Sequence, residues 1–385
     1  MRVGILSYPM LFQRAGGLQI QVRETVAAMN RLCFTAATLP AGMRTRGLQV
    51  RLVDVNHDRL DDFDLIHVFS AINGNVRIVE MAHELGVPVV LSPLISPGWS
   101  RAGALRAQLA DRVAGRLTDW MVQTSYAQTK RSLQLASLVI ALGERERDAI
   151  SDGFGVAADK IRVCPNGISA HFFHADQQLF ARHTGITGPF VLMVGSISAY
   201  KNQLGLARAL DGSGHTLVLI GAAARGQQAY LQRLQAMPHV RWLGALAHAD
   251  PLLASAYRSA GTLALPSQGE VFPLAVLEAL AAGTPVVMTQ QSALDLPGAG
   301  LALRKVRWND GAGLLAAVND LLATPPDRSA VQALVRQFSW ECVAGQIAQA
   351  YLQVLSRTQA AAQVQAGACQ TPPRGSDQRH HAHAV

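Results

Sequence analysis

Glu270 and Glu278 have seven residues between them, and the chain of 385 residues contains only eight glutamates. Between them runs Val271-Phe272-Pro273-Leu274-Ala275-Val276-Leu277, an apolar stretch that reads as a loop turning into a helix. Pro273 suits a first helical turn, where a missing N–H costs nothing. The free amides of such a helix start attract phosphate. A carboxylate on either side of an anion-binding helix start suits a ligand with hydroxyls flanking a phosphate, such as a nucleotide sugar. An exposed helix face is the plainer explanation of two glutamates at this spacing, but here the residues between them are apolar.

A cation and two glycine positions could complete such a site. Val194-Gly195-Ser196-Ile197-Ser198-Ala199-Tyr200-Lys201 joins a buried strand to a helix, with Gly195 allowing a sharp turn and Lys201 placed to reach a diphosphate. Taken alone, Lys201 could equally be a surface lysine at a helix start. Gly16-Gly17 follows the first strand after a long loop and could bring amides close to an anion, or could be an ordinary loop–helix junction. No Gly-x-Gly-x-x-Gly, Gly-x-x-x-x-Gly-Lys-Ser/Thr, Ser–His–Asp order or metal-ligand cluster is evident.

The elements that must position these residues alternate. Strands are expected at Arg2–Ser7, Gln49–Asp54, Leu65–Phe69, Val87–Ser92, Leu138–Ala141 and Ile161–Cys164, with helices at Leu18–Asn30, Gly74–Leu85, Arg101–Leu117 and Glu144–Gly153. The residues from Leu32 to Gly47 fit neither pattern. After the turn signal Pro165-Asn166-Gly167 a second series begins, with strands at Phe190–Gly195, His215–Ile220, Val240–Leu243, Thr262–Leu265 and Pro285–Met288. Its helices are expected at Gln203–Leu210, Gln227–Met237, Leu274–Ala282, Gly313–Ala323 and Trp340–Leu355. Strand-then-helix repetition predicts an α/β protein of two doubly wound parallel sheets, with ligands at the carboxyl ends of the strands. The expected domains are 1–167 and 168–339, then a closing helix over 340–356 and a disordered tail over 357–385. The tail ends His380-His381-Ala382-His383, more plausibly solvated than metal-binding.

Half of the residues are apolar and the net charge is +8, which favours anionic partners: phosphorylated substrates, anionic lipid or nucleic acid. Nucleic acid has little support, because Trp and Tyr do not interleave with the basic runs. The helix Arg101–Leu117 carries Arg101, Arg106, Arg112 and Arg116 against Asp111, with Leu105, Leu109, Val113 and Leu117 recurring every four residues. Such a helix could meet an anionic membrane surface or be a solvated face packed on its sheet. Cys33, Cys164, Cys342 and Cys369 are scattered, which points to a reducing compartment and away from structural zinc. No apolar run approaches the ~18 residues of a membrane span, so the expected location is cytoplasmic, peripheral on the inner face of the membrane if the basic helix docks there.

Together these segments resemble the family-four retaining glycosyltransferases, from Met1 to about Leu355. The specific part is Pro266–Leu274 with Glu278–Val287, similar to that family's Glu-x7-Glu block. Lys160–Ile168, Leu219-Ile220-Gly221 and Val240–Gly244 support it. The resemblance implies a GT-B fold, two Rossmann-like domains facing a cleft, and metal-independent transfer of a sugar with retention. No cofactor is implied; the nucleotide-diphosphate sugar is the co-substrate. Glu278 is expected at the ribose and Glu270 at the donor sugar. The backbone of Phe272, Pro273 and Leu274 is expected at sugar and diphosphate, Lys201 with Gly195 and Ser196 at the diphosphate, and Gly16-Gly17 across the cleft. Glu270 and Lys201 are the expected catalytic residues. A saccharide or lipid-linked saccharide of a surface polysaccharide is the expected acceptor. The chain departs from many relatives in two places: neither Ser196 nor Tyr200 is basic, and Pro93 stands where they carry histidine. Arg225 is a candidate substitute for the cation. These departures leave room for a non-catalytic nucleotide-sugar-binding partner, and the fold also admits a sugar-nucleotide epimerase.

Overall fold

The computed structural model describes residues 1–8, 10–13, 16–34, 48–72, 74–119 and 122–368. The irregular segment expected before Gly47, the histidines at 380–383 and Cys369 lie mostly or wholly outside these residues.

Among the described residues, twelve short strands form two six-stranded sheets, all parallel. In the first half, β1 (Arg2–Leu6), β2 (Gln49–Leu52), β3 (Leu65–Phe69), β4 (Val89–Ser92), β5 (Leu138–Ala141) and β6 (Ile161–Val163) lie in the order β2-β1-β3-β4-β5-β6. In the second, β7 (Val191–Val194), β8 (Leu217–Ile220), β9 (Val240–Trp242), β10 (Thr262–Leu265), β11 (Val286–Thr289) and β12 (Leu303–Val306) lie in the order β12-β11-β10-β7-β8-β9. Central strands such as β3 are buried along their whole length, which is why they read as unbroken apolar runs rather than alternating ones. The second order is that of dinucleotide-binding sheets, with its reversal between β7 and β10; the first reverses between β1 and β3. Crevices open at such reversals, at the carboxyl ends of the strands.

The chain crosses between halves twice, side by side. Ile168 donates its amide to Phe338 O at 2.6 Å, and Ile168 and Ser339 form a parallel bridge. Gly167 is required there, because a Cβ on it would lie 2.3 Å from the Trp340 ring. Helix Trp340–Ala368 then packs on the first half: Trp340, Val343, Ile347, Tyr351 and Val354 join Val3, Ile5 and Met29 in one buried cluster. Their spacing of three and four residues is one apolar stripe of a helix. This helix continues to Ala368, so residues 357–368, expected to be disordered, are helical.

Among the described residues, four α-helices escaped the sequence reading, at Ser125–Leu135, Gln177–Thr184, Pro251–Ser259 and Arg328–Ala333, as did strand β12. β12 is an edge strand, half-buried throughout, and carries Arg304 and Lys305. Edge strands carry charge to discourage further pairing, and that charge hides them from a search for apolar runs.

Candidate active site

The two loops at the reversal of the second sheet meet. After β7, Gly195 turns at φ 152°, and its carbonyl lies so close to Gly221 that a Cβ there would approach it to 2.0 Å. The following turn is closed by the Lys201 amide on Ser198 O (3.1 Å), and Asn202 takes φ 64° with its amide group on Trp308 O at 2.7 Å. From β10, Gln268 N donates to Tyr200 O at 2.9 Å, while the Tyr200 hydroxyl donates to Gly269 O at 2.7 Å. Glu270 is pinned from behind by its amide on Gln291 O at 2.8 Å. The outcome is a direct contact: Lys201 Nζ donates to Glu270 Oε1 at 2.6 Å, with side chains 23% and 11% exposed. Gly195 lines the same lysine, a Cβ on it falling 3.8 Å from Cε. Ser196 is exposed, and its carbonyl accepts from the Gln203 side chain at 2.8 Å.

Helix Leu274–Ala281 starts at this spot, with Pro273 as its cap rather than inside its first turn. Val276 and Leu277 turn back to Pro273 O at 3.2 and 3.4 Å, while the first helical amides have no preceding carbonyl to reach. Leu274 reaches across to the first half, joining its buried cluster, and a Cβ on Gly17 would lie 3.9 Å from Leu274 Cδ1. Helix Gly17–Phe34 also begins here, so two helix starts confront each other across the cleft. Each carries a partial positive charge. Phe272 anchors the junction: Asn166 Nδ2 donates to its carbonyl at 3.0 Å, and its ring packs 3.6 Å from where a Gly143 Cβ would be.

Glu278 is buried about one turn into helix Leu274–Ala281. The Tyr257 hydroxyl donates to Oε2 at 2.7 Å, and His248 Nε2 shares a hydrogen with Oε1 at 3.0 Å. Beyond His248, Nδ1 stands 4.0 Å from Glu24 of the facing helix. Burial works against the charged form of His248, but the hydrogen bond to Glu278 and the charges of Glu278 and Glu24 outweigh it, raising its pKa from the ordinary 6.5. Burial and the same carboxylate push the Tyr257 phenol well upward, which keeps it a donor.

The sequence reading missed His248, Tyr257 and Glu146. Glu146 is fully buried and accepts two amides, from Ile95 at 2.6 Å and Leu142 at 2.7 Å. Burial lifts its pKa to about 7, against those hydrogen bonds. It braces the loop after β4, where Leu94 is held at φ 59°, an unfavourable conformation for a side chain bearing a Cβ. A signal existed, since Glu146, Ala149, Ile150 and Gly153 share one helix face and all are buried. Among the run Glu144-Arg145-Glu146-Arg147, however, the glutamate looks solvated. Arg145 of the same helix start donates to Ser292 O at 2.7 Å, across the junction behind Glu270. Arg225 is exposed and enters no ion pair among the described residues, though its loop is tied to the Lys201 loop by a bridge between Ala223 and Ile197 and by the Ala224 amide on Ile197 O at 3.0 Å.

Two parallel six-stranded sheets with helices are the GT-B architecture of glycosyltransferases. Residues 16–167 match the family described as "Glycosyl transferase 4-like domain" and residues 188–324 the family "Glycosyl transferases group 1", and the chain belongs to the glycosyltransferases built from these two domains. It is 29% identical over 358 residues to a glycogen synthase of Mycobacterium tuberculosis, covering 86% of this chain and 80% of the relative. Among solved structures it resembles a sucrose-phosphate synthase from Thermosynechococcus elongatus, with a TM-score of 0.66 and 19% identity over 92% of this chain and 99% of the other. It also resembles Anabaena HepE, solved with UDP and glucose, with a TM-score of 0.61 and 18% identity over 91% and 98% of the two chains. Among the described residues no helix is long and apolar enough to cross a membrane.

Proposed function

We propose that this protein transfers a sugar from a nucleotide-diphosphate sugar to an acceptor hydroxyl with retention at the anomeric carbon. The observation that carries this reading is the contact between Lys201 and Glu270 at 2.6 Å, beside two opposed helix starts. The diphosphate lies over those amides, drawing Lys201 away from Glu270, whose carboxylate then accepts from the sugar hydroxyls. Glu278, held by Tyr257 and His248, accepts from the ribose hydroxyls, completing the roles of the Glu-x7-Glu pair. The bond from anomeric carbon to diphosphate oxygen breaks as charge grows on the leaving group, where Lys201 and the amides stabilise it. The acceptor oxygen bonds to the same face of the carbon, and its proton passes to the departing phosphate. Closure of the cleft excludes water that would otherwise hydrolyse the donor. The acceptor is a saccharide or lipid-linked saccharide of surface polysaccharide or glycolipid synthesis, made on the inner face of the membrane.

HepE was solved with UDP, which makes UDP-sugars the first donors to try, ahead of GDP- and ADP-sugars. Slow donor hydrolysis by the full chain that disappears in Glu270→Ala supports transfer, and the anomeric coupling of the product reports retention. Tight donor binding without turnover instead supports a non-catalytic binding protein, a reading favoured by the uncharged Ser196 and Tyr200.

A further inference from the structure

Helix Arg101–Leu117 buries the wrong residues for a helix that only covers a sheet. Ser100 caps it, accepting from Gly103 N at 3.3 Å, and its buried positions are the small Ala104 and Gly115. Its large apolar side chains point outward: Leu105 is 67% exposed, Leu109 63%, Val113 50% and Leu117 81%. At about 100° per residue, four-residue steps advance a side chain only about 40°, so these four share one stripe. Arg106 and Arg116 fall within the arc of that stripe and Arg112 at its edge; all three are exposed and enter no ion pair among the described residues, while Arg101 pairs with Asp152 at 3.0 Å. The helix's own acid, Asp111, turns the other way and accepts from Thr124 Oγ1 at 2.7 Å.

We propose that this face docks on an anionic lipid bilayer, its aliphatic stripe at the acyl boundary and its arginines on the lipid phosphates. The pairing of unshielded cations with an acid-free aliphatic stripe selects that occupant: water alone gives no reason to expose four such side chains, and a second copy would set arginines against arginines. The net charge of +8 acts in the same direction. The helix enters directly from the loop after β4, at the carboxyl ends of the first sheet, where Met10 and Ile72 are also 68% and 49% exposed after β1 and β3. An acceptor anchored in the bilayer would thus meet the cleft from the side that touches it. The docking surface stands on exposure and charge and is independent of the sugar-transfer reading.

Flotation of the full chain with vesicles tests it without any activity readout. Recovery is expected with mixed phosphatidylcholine–phosphatidylglycerol vesicles, weakening as salt is added, and little with phosphatidylcholine alone. Leu109→Ser with Leu117→Ser lowers partitioning at least about tenfold, and Arg112→Gln about fivefold. These side chains are exposed, so the variants keep the wild-type unfolding midpoint. Equal recovery from both lipids, or wild-type binding by the double leucine variant, overturns the proposal. So does concentration-dependent dimerisation of the free protein that Leu109→Ser abolishes, which would give the face to a second copy.

Discussion

The two halves are built alike and use charge oppositely. Each is a six-stranded parallel sheet with one reversal of strand order. The second half places its ionisable groups at the strand ends: Lys201 and Glu270 in contact at the crevice, and Glu278 beside it. The first half buries its own. His67 is wholly enclosed in β3, between the Tyr351 hydroxyl at 2.7 Å and Ser92 Oγ at 2.9 Å, and Glu146 is enclosed under the loop after β4. One sheet thus gathers charge at its crevice, while its neighbour uses polar groups to shape a rim whose outward surface mixes aliphatic side chains with arginines. A polar, charged donor and an acceptor bearing an apolar anchor would divide between them in that way.

The sharpest way to break this contrast is at the crevice. Removing Lys201 or Glu270 by alanine should lower kcat by about 10²–10³, the loss usual when one electrostatic stabiliser of a leaving or developing charge is removed. Steady-state transfer with the preferred donor checks it. A loss under tenfold in both variants would mean that the strand ends of the second half do not carry the chemistry.

The converse experiment leaves the crevice alone. Glu146→Ala strands two buried amides, those of Ile95 and Leu142, at about 1–3 kcal/mol each. Unfolding in urea should register a loss of about 2–5 kcal/mol in the first half, while nucleotide binding at pH 7 by calorimetry stays within about twofold. If nucleotide affinity collapses as well, the halves are not the independent instruments that their chemistry suggests.

What could be read from the sequence follows the same divide. Lys201, Glu270 and the start of helix Leu274–Ala281 were legible because each belongs to a short segment whose residue types and order carry their own geometry: a glycine turn, a proline cap, an acid on either side. Of the eleven strands read from the sequence, six (β3, β4, β5, β8, β10 and β11) are buried along their whole length, and such strands must be apolar. The links that cross the chain were not. His248 reaches Glu278 over 30 positions, and His67 reaches Tyr351 over 284. Nothing local distinguishes such a histidine from a surface one, because its partner is chosen by how helices dock. Glu146 failed differently, its charged neighbours disguising a buried position.

A smaller effect, in pH, divides the two groups that the first half buries. Burial lowers the His67 pKa from 6.5 to about 3. The unfolded chain therefore takes up a proton below about pH 6.5 that the folded ring refuses until about pH 3, so stability falls as pH drops through that window. Glu146 acts in the opposite sense: with a folded value near 7 against an ordinary 4.5, its contribution is complete below pH 4.5 and is lost as pH rises toward 7. Urea midpoints measured across this range should show a shallower acid limb in His67→Gln and a shallower neutral limb in Glu146→Gln. Unchanged limbs in both variants would place the titrating groups elsewhere.

The smallest effect lies where the halves touch. His248 is faced by Glu278 and Glu24, with the His171 ring centred 5.8 Å away and Tyr257 behind Glu278. His171 is itself held below its ordinary value, first by burial and then by the charge of His248, so it adds no cation in the neutral range. Because the folded pKa of His248 lies above 6.5, its charged contact with the two carboxylates is complete below that pH and is lost as pH rises through the folded value. While charged, it holds the Glu278 carboxylate that the proposed function assigns to the ribose hydroxyls and tethers the two helices. Nucleotide affinity should therefore rise with pH through the neutral range by about two- to fivefold, the scale of one partly exposed ion pair, and His248→Gln should flatten that rise. Glu24→Gln keeps the ribose contact and removes only the tether, so it should leave a smaller slope than wild type but a larger one than His248→Gln. A slope that survives His248→Gln intact would show that the two halves meet at this histidine without communicating through it.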